Sequence, residues 1–225
     1  MTIAARFLSE PDAVQLLKGY GIAYPKHAIA ADAKAAAEAA EKIGFPVVLK
    51  VISPQVSHKS DVGGVVVNLK DKRAVMDGFE KMTASVKRAV PSAEISGALV
   101  CAMAPQGVEA IVGGLIDPNL GATVMFGLGG IFAEVLKDVS FRCVPLNSLD
   151  AEEMIAEIKG YPMLTGARGQ TPCDLKAVAD LLLAVSRLLQ EHPEIQELDL
   201  NPVRLYGDGL LALDARIVVD AGGTS

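Results

Sequence analysis

The sequence predicts an α/β protein of the α+β kind, folded as two small lobes. Three observations lead there. Helix-period and strand-period segments alternate through the first ninety residues and then give way to closely spaced apolar runs. Hydrophobic residues make up 51% of the 225 positions and charged residues 21%, which excludes a disordered or collagen-like chain. Aromatics are only 4%, with no Trp, so the interior must be aliphatic.

Taken in order, Ala13, Leu16, Leu17 and Tyr20 share one face of a short amphipathic helix from Ser9 that Gly19 and Gly21 end. Asp32 caps a second, Ala-rich helix running to Gly44, whose small side chains allow close packing on a sheet. Phe45 to Ile52 is a nearly unbroken apolar run of strand length, interrupted by Lys50. A polar loop with paired glycines follows, and a strand resumes at Val65 to Leu69. Asp71 caps a helix with the stripe Val75, Phe79, Met82 and Val86, stopped near Pro91. Ile95 to Met103, Glu109 to Ile116 and Ala122 to Phe126 then read as an antiparallel meander, followed by the glycine loop Gly127 to Gly130. Asp150 with Glu153 predicts a capping box for a helix to Lys159. Asp174 starts a longer helix, ended by His192-Pro193, before strands at Ile195 to Leu200, Val203 to Tyr206 and Leu210 to Val219. The best seam between lobes lies near residues 91 to 97, which divides the chain into 1–97 and 98–225.

A net charge of −6 has the wrong sign for holding a phosphate backbone by counterion release, so nucleic acid is not an expected partner. Cys101, Cys143 and Cys173 are an odd count without CxxC spacing, which suggests neither a disulfide framework nor a zinc ribbon and fits reduced thiols in the cytoplasm. No secretory signal and no run of eighteen apolar residues is present, so neither export nor a membrane span is expected.

The terminal hairpin gives the most specific inference. If Gly207-Asp208 is a two-residue turn, Tyr206 faces Gly209, and counting back in step sets Asn201 opposite Asp214. Their Cβ atoms would be about 4.5–5.5 Å apart, with Asp199 on the same face. Leu198, Leu200, Leu211 and Leu213 flank them, so the polar groups interrupt an aliphatic ribbon. Oxygen donors of this kind suit Mg²⁺, which takes one or two carboxylates and completes its shell with phosphate and water. The alternative is a satisfied polar cluster in which Arg216, opposite Asp199, pairs with it. Pro202 requires an edge or a bulge at this point.

Lys50 inside an apolar strand needs an anion, and phosphate or a carboxylate would serve; the alternative is a lysine that snorkels to water. Gly63-Gly64 and the Gly127 loop would let backbone N–H groups approach phosphate oxygens, although glycine loops are commonly only turns. His58, between Ser57 and Lys59 with Asp61 three residues on, is either a solvated side chain or an exposed imidazole fit to carry a phosphoryl group. His27 and His192 read as structural.

Taken together, the order resembles the ATP-grasp module of nucleoside-diphosphate-forming acyl-CoA synthetases, nearest to the beta subunits of ADP-forming acetyl-CoA synthetases. The resemblance rests on GFPVVLKVISPQVSHKSDVGGV at 44–65, Met103, Glu109, DPNLG, GLGG with Glu134, GARG at 166–169, LDLNPV and LDAR. It implies an ATP-grasp fold with nucleotide bound between two lobes. It implies that Lys50 contacts ATP phosphates, that Cys101, Ala102 and Met103 form the hinge reading adenine, and that Glu109 faces the ribose. Asn201 and Asp214 resemble the family's Mg²⁺ ligands, with Asp199 standing where Glu is more frequent. His58 matches the second phosphoryl carrier, which succinyl-CoA synthetases do not have. The implied reaction interconverts acyl-CoA, phosphate and ADP with carboxylate, CoA and ATP. No Gly-rich βαβ unit for CoA is present, so a CoA-binding alpha subunit is the expected partner in a hetero-oligomer.

Three other readings compete: an ATP-binding regulatory subunit without turnover, a non-enzymatic structural domain, and another ATP-grasp ligase, one joining a carboxylate to an amine. The undegraded lysine and metal-ligand positions argue against the first, and polar groups placed among aliphatics argue against the second.

Overall fold

The computed structural model describes residues 5–56, 58–117, 119–130 and 136–220. In chain order its elements are β1 (Ala5–Phe7), α1 (Glu10–Gly19), β2 (His27–Ala30), α2 (Ala33–Ile43), β3 (Val47–Ile52), β4 (Val65–Leu69), α3 (Lys72–Ala89) and β5 (Gly97–Ala102). They continue as β6 (Val108–Asp117), β7 (Gly121–Leu128), β8 (Val139–Cys143), α4 (Ser148–Glu157), α5 (Tyr161–Leu164), α6 (Leu175–Glu191), β9 (Ile195–Tyr206), β10 (Gly209–Ala212) and β11 (Arg216–Asp220). Two compact units result. The smaller holds Ser9–Pro11 and Pro25–Pro105, and the larger holds residues 5–8, 12–24 and 106–220 as far as they are described.

In the smaller unit the strand order is β2-β5-β3-β4, every pair antiparallel. Helices α2 and α3 pack on this sheet through Ala36, Ala37, Ala40, Val75, Phe79, Met82 and Val86. Both helices begin as the sequence requires: the Asp32 carboxylate accepts the Ala35 N–H at 2.8 Å, and Asp71 accepts that of Ala74 at 2.8 Å.

The larger unit is a seven-stranded antiparallel sheet in the order β1-β11-β9-β6-β7-β8, with β10 also on β9. Its core gathers Leu17, Val112, Phe126, Met154, Leu182, Leu188, Leu198 and Leu200. Among the described residues only Phe79 and Phe126 are buried aromatics, as the composition demands.

The lobe boundary departs from the sequence reading. Strand β5 lies between β2 and β3 in the smaller unit, so no meander joins it to β6, and the division after residue 97 is replaced by one after Pro105. Residues 12–24 also group with the larger unit. Every residue of β5 but Ala102 is buried, so it needs a neighbour on each side, and β2 and β3 supply them. The short connection at Pro105-Gln106-Gly107 looks like a hairpin turn but links two sheets. Strands β1, β2 and β8 had no legible sequence signal. The α4 capping box sits three residues earlier than expected: the Asn147 side chain accepts the Asp150 N–H at 3.0 Å, and Asp150 accepts that of Asn147 at 2.9 Å.

Candidate functional site

Lys50 lies in β3, opposite Leu99 of β5 and Val65 of β4. Its ammonium meets a carboxylate, as burial requires: Lys50 Nζ donates to Glu10 Oε1 at 2.6 Å, and both residues are buried. The other carboxylate oxygen, Glu10 Oε2, stands 3.1 Å from Lys59 Nζ. Side-chain exposures of 2% for Glu10, 9% for Lys50 and 12% for Lys59 keep all three groups out of bulk water. Glu10 escaped the sequence reading because an acid in the first turn of a helix is ordinarily just a solvated partner of the helix dipole.

His58, next to Lys59, is exposed. A 3₁₀ turn (Ser60–Val62) follows, closed by Gly63 in the left-handed region at φ 71°, where a Cβ would also come within 3.0 Å of Ser85 Cβ. The Gly64 N–H donates to the Lys59 carbonyl at 2.7 Å. A Cβ on Gly64 would stand 2.6 Å from Val51 Cγ1 and 2.9 Å from the Lys59 carbonyl oxygen. The paired glycines thus let the histidine loop lie directly on β3, the strand that carries Lys50.

Cys101 is buried in β5, opposite Val48. The Ala102 N–H donates to the Lys26 carbonyl at 2.8 Å and the Met103 N–H to that of Pro46 at 3.0 Å. Reading a base through those two donors would mean exchanging these bonds.

The larger unit holds the other candidates. The predicted hairpin register is observed, from Gly209 opposite Tyr206 through Ala212 opposite Val203, and again at Arg216 opposite Asp199. Asn201 and Asp214 lie in the interval between these two stretches, where residues 213–215 leave the ladder. On the other flank Ala110 pairs with Val203 and Val112 with Leu200, so Asn201 and Pro202 together oppose Ile111. This is the bulge that Pro202 demanded. The Leu213 N–H donates to the Pro202 carbonyl at 2.9 Å and the Ala215 N–H to Asp214 Oδ1 at 2.9 Å.

Asn201 is exposed, while Asp199 and Asp214 are half-buried. The guanidinium of Arg216 donates to Glu197 at 2.8 Å and stacks 5.1 Å from the Phe7 ring centroid. Two carboxylates and an amide oxygen at a ladder interruption are a hard donor set that fits a divalent cation carrying phosphate oxygens. Among the described residues no three His, Cys, Asp or Glu side chains gather as a metal cage.

Glu109 on β6 pairs in register with Arg204, whose Nη2 donates to Glu109 Oε1 at 2.6 Å. The Gly129 N–H donates to the Glu109 carbonyl at 2.8 Å, tying the glycine turn to β6. Glu134 lies outside the described residues. A cavity of about 670 Å³ beside α6, lined by Tyr20, Leu181 and Arg187 among others, contains none of these candidates.

This combination of a lysine strand, a glycine-backed histidine loop and a terminal ribbon of acids matches a known class. The chain belongs to the ATP-grasp domain family, whose model matches residues 3–219. It is 46% identical over 214 residues to the beta subunit of acetate–CoA ligase (ADP-forming) I of Pyrococcus furiosus, an acid–thiol ligase, covering 95% of this chain and 92% of that subunit. It is also similar to a dinucleotide-forming acetyl-coenzyme A synthetase 1 of Ca. Korarchaeum cryptofilum, solved with coenzyme A, Ca-AMPCP and HgCl⁺. The TM-score is 0.93 at 49% identity, over 95% of this chain and 93% of that one. Another structure of that synthetase holds coenzyme A and Mg-AMPPCP, with its phosphohistidine segment pointing towards the nucleotide site, at TM-score 0.82 and 44% identity over 95% and 93% of the two chains.

Proposed function

We propose that the chain is the nucleotide-handling beta subunit of an ADP-forming acyl-CoA synthetase, active with a CoA-binding alpha subunit in a hetero-oligomer. It transfers a phosphoryl group between ADP/ATP and His58 while acyl-CoA, phosphate and ADP interconvert with carboxylate, CoA and ATP. The observation that carries this reading is the placement of His58, exposed and adjacent to a lysine whose partner carboxylate also holds Lys50.

In the direction of histidine phosphorylation, a bond forms between an imidazole nitrogen of His58 and the γ-phosphorus, the bond to the β–γ bridging oxygen breaks, and ADP leaves. Such transfers depend on positioning and on neutralising phosphate charge. Lys50 would contact the phosphates with an ammonium already oriented by Glu10. The segment Cys101–Met103 would face adenine, and Glu109, steadied by Arg204, the ribose. Asn201, Asp214 and Asp199 would hold Mg²⁺, which when bound supplies further neutralisation of the phosphate oxygens. Gly63 and Gly64 serve by seating the loop. All three cysteines are free, which supports a reducing, cytoplasmic setting.

The test is labelling of the full chain by Mg-ATP carrying radioactive γ-phosphate, with its CoA-binding partner present. Acid-labile label should enter the wild type and be lost in His58→Ala. Label persisting in that variant would remove His58 from the reaction.

A further inference from the structure

We infer that Glu10 is a positioning residue that couples the nucleotide lysine to the phosphoryl-carrier loop, so that Lys50 and the segment bearing His58 respond to phosphate charge as one device. The inference rests on the role proposed above for His58. Its structural basis is the division of one carboxylate: Oε1 is held by Lys50 at 2.6 Å and Oε2 by Lys59 at 3.1 Å. Lys59 is fixed twice, by its ammonium at Glu10 and by its carbonyl, which accepts the Gly64 N–H at 2.7 Å. His58 is the residue next to that anchor along the chain.

Stability alone does not account for such a cluster, because well-packed apolar side chains of similar volume commonly serve a fold as well as buried ions do. An ionic bridge adds responsiveness. Phosphate oxygens that draw the Lys50 ammonium weaken its bond to Oε1 and leave Lys59 as the stronger counter-charge, which tightens the loop while nucleotide is engaged. A phosphoryl group on His58 attracts Lys59 instead and returns Lys50 to Glu10, which loosens the hold on the departing nucleotide. Coupling of this kind is reciprocal by linkage.

Single-turnover phosphohistidine formation in the full chain with its partner, followed against Mg-ATP concentration, separates the alternatives. Glu10→Gln keeps the size but removes the charge and leaves one acceptor oxygen in place of two. It should lower the saturating rate roughly 5- to 150-fold, the range of ordinary coupling, and also raise the half-saturating concentration. Lys59→Gln should lower the rate with little change in half-saturation, and the double variant should be no slower than Glu10→Gln.

A Glu10→Gln protein that melts earlier but reacts with wild-type rate and half-saturation below its melting point overturns the inference. So does a change in half-saturation alone, or strict additivity in the double variant. Should Glu10→Gln fail to fold, Glu10→Asp, which keeps the charge one methylene shorter, should show the same pattern in part; wild-type behaviour there also overturns it. Absence of label in the wild type would instead remove the underlying role of His58.

Discussion

The two units differ in whether the acid of a candidate-site ion pair is withdrawn from water. In the smaller unit a carboxylate and two ammonium groups are withdrawn from water together, at Glu10, Lys50 and Lys59. In the larger unit the acids stay at the surface: Glu109 with Arg204, Glu197 with Arg216 and Glu157 with Arg142 all leave the acid more than two-fifths exposed, even where, as at Arg204, the guanidinium is largely covered. A buried pair broken on one side leaves an uncompensated charge, whereas an exposed pair is replaced by water at little cost. Function and stability are therefore entangled at the lysine strand and separable at the terminal ribbon.

The largest effect that would break this contrast is at Glu10. Glu10→Ala should cost about 3–5 kcal/mol of folding stability, because it removes the buried carboxylate that faces both Lys50 and Lys59. For a unit of this size that is a large share of the total. Urea denaturation followed by circular dichroism measures it. A loss below about 1 kcal/mol would mean that water replaces the carboxylate there as easily as at the surface, and the two units would not differ.

The same contrast explains what the sequence reveals. The register of the terminal ribbon was legible to the residue, because a Gly-Asp turn and a two-residue period fix every pairing between β9 and β10 once one pair is set. That Pro202 needs an edge or a bulge was legible too, since proline lacks the ladder donor, and the structure makes it a bulge. Lys50 signalled that some anion was needed, but not which one. Its partner sits forty residues away at the head of α1, and only tertiary packing brings Glu10 there. The lobe boundary failed for a related reason. Strand β5 reads equally well as the neighbour of β6 or of β3, and local pattern carries no information on which sheet claims an apolar strand. The α4 cap was displaced by one turn because Asn147 and Asp150 perform the box as well as the expected pair.

An intermediate effect sharpens the comparison from the side of the larger unit. Asn201 is exposed and Asp214 half-buried, so Asn201→Ala and Asp214→Asn should each change stability by no more than about 0.5–1 kcal/mol. Ligand response should change far more. At a hundredfold excess over its dissociation constant, Mg-ATP stabilises the folded chain by about 2.7 kcal/mol, and a tenfold weaker site forfeits about 1.4 kcal/mol of that. Thermal melts with and without Mg-ATP report both quantities from one sample. An undiminished shift in Asp214→Asn would take that carboxylate out of the metal site.

The smallest effect concerns a surface contact that no proposed chemistry uses. Tyr20 donates to Glu191 at 2.6 Å, tying the end of α1 to the end of α6. That hydrogen bond, followed by burial and the nearby carboxylate charge, pushes the phenol from its usual 10.0 up to about 12. A raised folded value means that the folded chain keeps its proton while the unfolded chain releases it, so the contribution is complete below pH 10 and disappears as pH climbs towards 12. Wild type should accordingly lose ground to Tyr20→Phe over that interval, by a small margin because the pair is solvent-facing and screened. Urea midpoints at pH 9 and near pH 11.5 measure the difference, and equal slopes for the two proteins would show that the contact is not maintained in solution.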